Sequence, residues 1–242
     1  MIKVLSLVLV FLFSGISFGA EVDCLLCHEA LSKGKTVHPA VLMGCTACHT
    51  GIDATEIPHK KTNTVVRGLA AEPPDLCYNC HDKTIFEKKT VHPALLMGCT
   101  ACHNPHATET PRLLLAEPPD ICFNCHDKAE FTKQNVHVPV AAGMCTTCHN
   151  PHSTDEVRLL NNKAVEVCLQ CHADKKDTPH AITGFSSAGH PIGDKRTVKD
   201  PARPDRTFYC GSCHNPHSSD SMRLFRYKAD TAFELCVNCH QK

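Results

Sequence analysis

The 242-residue chain has no tryptophan, only three tyrosines and a formal charge of zero, and each shortage excludes something. Aromatic residues make up 5% of it, and three of its ten phenylalanines lie in the first twenty positions. That N-terminal run and the eighteen cysteines also account for much of the 42% counted as hydrophobic. About a third of the remainder is ordinary apolar side chain, thin material with which to offset the conformational entropy of so long a chain. Something besides side chains should fill the interior. A balance of 25 basic against 25 acidic residues excludes a nucleic-acid partner held by a basic face. After residue 20 no stretch is apolar enough to cross a membrane.

The first twenty residues read as a signal peptide. Lys3 supplies the positive start, Val4 to Phe13 is apolar apart from Ser6, and Ser14 to Ala20 is a small-residue region suited to cleavage after Gly19 or Ala20. The run is too short for a retained anchor helix. The mature protein, 21–242, is therefore expected in the periplasm or outside the cell.

An exported chain this rich in cysteine would by default be a disulfide scaffold. The spacing argues against that. Every cysteine belongs to a Cys-x-x-Cys pair followed directly by His. The nine begin at Cys24, Cys45, Cys77, Cys99, Cys122, Cys145, Cys168, Cys210 and Cys236, and close at Cys27, Cys48, Cys80, Cys102, Cys125, Cys148, Cys171, Cys213 and Cys239. The histidines that follow are His28, His49, His81, His103, His126, His149, His172, His214 and His240. Two thiols one helical turn apart can add to the two vinyl groups on one edge of haem, and a His directly after the second is carried under the ring to the iron. Zinc needs four ligands but no His at that fixed place, and redox-active thiols do not need one either. Nine covalent haem c groups follow, with those nine histidines as proximal ligands.

The chain also repeats itself. Thr36 to His49 recurs almost unchanged as Thr90 to His103, and Ala71-Glu72-Pro73-Pro74-Asp75 recurs at 116–120. Two motif types alternate: type A at Cys24, Cys77, Cys122, Cys168 and Cys236, type B at Cys45, Cys99, Cys145 and Cys210. Neighbouring motifs start 21 to 26 residues apart, except for 32 between Cys45 and Cys77 and 42 between Cys168 and Cys210. The second gap, about 173–209, is rich in Pro, Gly and charge and reads as an inserted surface loop.

Alternating motifs and the His-Asn-Pro-His signature at 103–106, 149–152 and 214–217 resemble the doubled-CxxCH multihaem cytochromes c, of the cytochrome c3-like and nitrite-reductase electron-donor kind. The resemblance spans Asp23 to His240. It implies a mostly coil chain with short α-helices, a haem-packed core, little or no sheet, and electron transfer outside the cytoplasm. The first type B motif departs from it: His49-Thr50-Gly51-Ile52 replaces the signature, and the next histidine is His59. Prolines limit most helices to a few turns, although Asp155–Val167 and Ser219–Leu235 could form longer ones.

Nine histidines lie outside the motifs: His38, His59, His92, His106, His137, His152, His180, His190 and His217. They match the haems in number and recur at equivalent places, so they read as distal iron ligands. Met43, Met97 and Met144 crowd motif cysteines and suit packing at the haem edge better. Each distal histidine except His180 is assigned to a motif downstream. Those after proline serve type A, with His59 for Cys77, His106 for Cys122, His152 for Cys168 and His217 for Cys236. Those before proline serve type B, with His38 for Cys45, His92 for Cys99, His137 for Cys145 and His190 for Cys210. That leaves His180 for the haem at Cys24, reached by a long fold-back or between neighbouring subunits.

With both axial positions filled, iron has no place for substrate. The expected function is a carrier of electrons along nine haems in anaerobic respiration, with no catalytic residue. The alternative is a multihaem reductase of nitrite, hydroxylamine or a sulfur oxyanion, which would need one open iron. Expected partners are other cytochromes and quinol-linked or outer-membrane electron-transfer components. A homo-oligomer or filament stays open beside a soluble carrier.

Overall fold

The computed structural model describes residues 22–176 and 198–240. The expected signal peptide and much of the 173–209 insert lie outside the described residues. Most of the chain is turn and coil. Among the described residues the longest helix, Ala164–Leu169, has six residues, and no helix is long and apolar enough to cross a membrane.

Local sequence sets these short elements. Pro74 and Pro119 cap the one-turn helices Asp75–Tyr78 and Asp120–Phe123, each with an aspartate in its first turn. Gly44, Gly98 and Gly143, at φ +95°, +86° and +70°, stop the Pro-led turns ahead of the type B motifs in a conformation that costs glycine little. The longer helices expected at 155–167 and 219–235 are absent. Each region holds instead a tight turn with two consecutive left-handed residues, Arg158-Leu159 and Arg223-Leu224, at φ between +53° and +59°. A helix cannot run through that conformation. The end of the insert is also more regular than a loop, since 199–207 forms a hairpin.

Among the described residues ten short strands make five antiparallel pairs. In chain order they are β1 Thr36–Val37, β2 Ile52–Asp53, β3 Lys60–Lys61, β4 Thr90–Val91, β5 Ala107–Thr108, β6 Asn135–Val136, β7 Ser153–Thr154, β8 Lys199–Asp200, β9 Arg203–Thr207 and β10 Ser218–Ser219. Three pairs tie one repeat to the next: β1 with β5, β4 with β7 and β6 with β10. In the first repeat the corresponding segment folds on itself as the hairpin β2–β3. The longer spacing between Cys45 and Cys77 is this hairpin.

The polypeptide alone builds little core. Among the described residues the buried apolar ones are Ala107, Val165, Phe208, Phe225 and Ala229, whereas Leu42 and Leu96, at the same place in two repeats, are 86% and 92% exposed. Apolar surface repeated at such a period is what a non-protein core would cover.

Buried hydroxyls fasten the joints between repeats. Ser153 and Ser218 are fully buried; Ser218 donates to the Glu130 carbonyl at 2.8 Å and accepts from the Lys133 N–H at 3.3 Å. Ser153 does the same with Ile85 and Lys88, 65 residues upstream in the nearer case. Ser218→Ala would strand both backbone groups, and the expected loss is about 1–3 kcal/mol, read from the guanidinium midpoint against Ser218→Thr.

Candidate functional site

None of the eighteen cysteines, all within the described residues, is in a disulfide. Nor do three or more His, Cys, Asp or Glu side chains converge on a metal-sized point among the described residues, as a zinc site would require. The histidines meet in twos. His28 faces His59, His38 faces His81, His49 faces His106, His92 faces His126, His103 faces His152, His137 faces His172 and His149 faces His217. Each pair joins one motif histidine to one of the others.

The ring centres of all seven pairs are 5.9 to 6.2 Å apart. Metal–imidazole bonds of about 2.0 Å on each side, with roughly 1.1 Å from nitrogen to ring centre, span about 6 Å. The separation suits one iron between two imidazoles and is too long for direct stacking. The residues fit haem c: two thiols on a turn, a proximal imidazole after them and a second imidazole opposite.

The backbone decides which nitrogen faces the gap. In every type B motif Nδ1 of the proximal histidine donates to a main-chain carbonyl: His49 to Arg67, His103 to Arg112, His149 to Arg158 and His214 to Arg223, at 2.8 to 3.0 Å. A carbonyl can only accept, so the proton sits on Nδ1 and Nε2 keeps its lone pair for a metal. All four carbonyls belong to arginines in the left-handed region. The repeated Val-Arg-Gly-Leu, Pro-Arg-Leu-Leu, Val-Arg-Leu-Leu and Met-Arg-Leu-Phe at 66–69, 111–114, 157–160 and 222–225 is thus a turn that orients the motif histidine, a role that reasoning from sequence missed. Its signal was there as a fourfold repeat. On the opposite side, His59, His92 and His137 donate from Nδ1 to the carbonyls of Glu56, Pro151 and Pro216.

The His-Asn-Pro-His signature also has a local job. Asn104, Asn150 and Asn215 accept through Oδ1 from the backbone N–H of His106, His152 and His217, at 2.9 to 3.1 Å. This side-chain turn directs each histidine away from its own motif. Burial, with the facing His149 second, pushes His217 down to about 4, and burial lowers His106, His149 and His152 as well. They are held neutral, as metal ligation needs.

The pairs overturn the assignment made from sequence. His59, His106, His152 and His217 face His28, His49, His103 and His149, and none faces the downstream type A histidine assigned to it. His38, His92 and His137 pass over the nearest type B motif and face the type A histidines His81, His126 and His172. The cause is the strand pairing. β1–β5 draws His106 back one repeat, and the His38 N–H donates to the His106 carbonyl at 2.7 Å; His92–His152 and His137–His217 repeat that bond at 2.8 and 3.0 Å. His59, delivered by the β2–β3 hairpin, takes the place opposite His28 that had been assigned to His180. His180 and His190 lie outside the described residues.

The motifs stand in single file. Cys24 interacts with Cys45, Cys77 with Cys99, Cys122 with Cys145 and Cys168 with Cys210. Between those couples, Cys48 reaches Cys77, Cys102 reaches Cys122 and Cys125, Cys148 reaches Cys168 and Cys171, and Cys213 reaches Cys236 and Cys239. Burial first, then the neighbouring thiol, pushes Cys77 and Cys122 up to about 11. All eight consecutive steps along the sequence are thereby neighbours in space.

The model of the doubled CXXCH motif matches the chain four times, at residues 38–86, 92–131, 137–177 and 202–242, together well over half of it. The chain belongs to the doubled CXXCH family. It is a multihaem c-type cytochrome whose motifs bind haem c covalently. The four matches coincide with the four repeats that the strands join, and the motif at Cys24 precedes them. No curated protein matches it.

Proposed function

We propose that the mature protein binds nine haems, each held between two histidines, and passes electrons along them in motif order outside the cytoplasm. The facing imidazoles carry this reading. An iron with two protein ligands offers no position to a substrate, so electron transfer is its chemistry. The single file of motifs supplies the route. Imidazole on both sides, without a methionine ligand to raise the potential, suits low-potential anaerobic respiration. Other cytochromes and quinol-linked or outer-membrane components would deliver and accept the electrons.

Carbon monoxide provides the test. Added to the fully reduced protein, it should leave the visible spectrum of the haems unchanged. A shift in the bands of one haem would reveal an open iron and favour a reductase of nitrite, hydroxylamine or a sulfur oxyanion.

A further inference from the structure

The four type B attachment turns share one backbone bond but carry different side chains at it. The residue whose backbone N–H donates to the carbonyl of the second motif cysteine is Ala70, Leu115, Asn161 or Arg226, with distances of 2.8 to 2.9 Å. Along the chain this side chain goes from apolar to amide to cation. Asn161 donates from its amide to the Thr146 and Thr147 carbonyls in its turn. Arg226 donates from Nε to the Gly211 carbonyl at 2.8 Å and from Nη2 to the His214 carbonyl at 3.1 Å, gripping the turn that carries Cys210 and Cys213.

A second arginine joins it. Arg203 Nη2 donates to the same Gly211 carbonyl at 2.7 Å, but Arg203 is paired with Asp200, which is 1% exposed, through Nε at 3.0 Å and Nη2 at 2.5 Å. Asp200 and Arg203 cancel, and among the described residues no carboxylate pairs with Arg226. Lys133, Lys228, Asp220 and Asp230 share the neighbouring cavity with Arg226 and balance one another. The turn at Cys210 therefore carries about one unit of excess positive charge. Burial and Arg203 both lower the Arg226 pKa, yet a guanidinium starts so far above neutrality that it stays charged.

We propose that Arg226 raises the reduction potential of the haem at Cys210–Cys213 above those of the type B haems at Cys45, Cys99 and Cys145, so that electrons settle toward the C-terminal end of the file. Reduction adds negative charge at the iron, and a fixed, partly desolvated cation beside it favours that state. The proposal rests on the electron-transfer reading and adds a direction to it.

A spectroelectrochemical titration of the holoprotein tests it, with haem content checked by mass. In Arg226→Leu, which copies the second repeat, one component should move to lower potential, its reduced-to-oxidised ratio at fixed potential dropping threefold to tenfold; tenfold is about 59 mV for one electron. Arg226→Lys keeps the charge and should titrate like the parent. Leu115→Arg, at the matching place in another repeat, should raise a different component and keeps the test usable if Arg226→Leu does not mature. An unchanged curve in Arg226→Leu, or an equal shift in Arg226→Lys, would overturn the proposal while leaving nine low-spin haems, and hence the electron-transfer reading, intact. Fewer than nine haems in the parent would instead strike at that reading.

Discussion

Replacing His59 with alanine should convert one haem from low to high spin, and that haem should be the one attached at Cys24 and Cys27. The ring of His59 lies 5.9 Å from that of His28, with its Nδ1 anchored on the Glu56 carbonyl at 2.8 Å, so its loss empties one side of a single iron. The resulting protein should bind one carbon monoxide when reduced, where the parent binds none. Sequence proximity assigns His59 to the haem at Cys77 instead, and a double-mutant comparison separates the two. In a background with Cys24 and Cys27 changed to alanine, His59→Ala should add no high-spin signal. High-spin signal in that background, together with its loss when Cys77 and Cys80 are the cysteines removed, would restore the downstream assignment. Stability should change less than ligation does, because the β2–β3 hairpin is closed by its own backbone pairing at Ile52–Lys61 and Asp53–Lys60.

The contrast shows what this sequence makes legible. Covalent attachment is encoded within five residues, so the motif cysteines and proximal histidines could be read one by one. The short, coil-rich fold was legible for a related reason, because proline and glycine punctuate every repeat and apolar residues are too few for long amphipathic helices. Which histidine faces which is a different kind of information. His106 reaches His49 across 57 positions because Ala107-Thr108 pairs with Thr36-Val37, and two-residue strands leave almost no periodic signal. A nearest-neighbour rule fails wherever a repeat's ligand is delivered to the adjoining repeat. The same reasoning explains the unrecognised arginine turn. The role of Arg112 or Arg158 lies in a main-chain carbonyl, exposed by a left-handed conformation that the side chain itself does not announce. Only the fourfold recurrence of the segment pointed to it.

Removing a haem from the middle of the file should cut the molecule electrically in two. The cysteine interactions join each motif to the one before and the one after it. Electron tunnelling falls off exponentially with the gap to be crossed, and deleting one haem replaces two short gaps with one wider than a porphyrin. Cys122→Ala with Cys125→Ala deletes the fifth of nine and leaves four motifs on each side. For the measurement, Lys33, an exposed residue near the N-terminal motif, is changed to cysteine and the matured protein is tethered through it to gold. At slow scan rates eight haems should exchange electrons with the electrode. At fast rates only the four on the tethered side should respond, and the rest should lag by orders of magnitude. Deleting the first haem with Cys24→Ala and Cys27→Ala serves as the control, since it removes one haem without interrupting the others, and there all eight should remain in step. If the central deletion also left eight haems responding together at fast rates, the haems would have to be branched or bundled, and the order read from the cysteine contacts would be wrong.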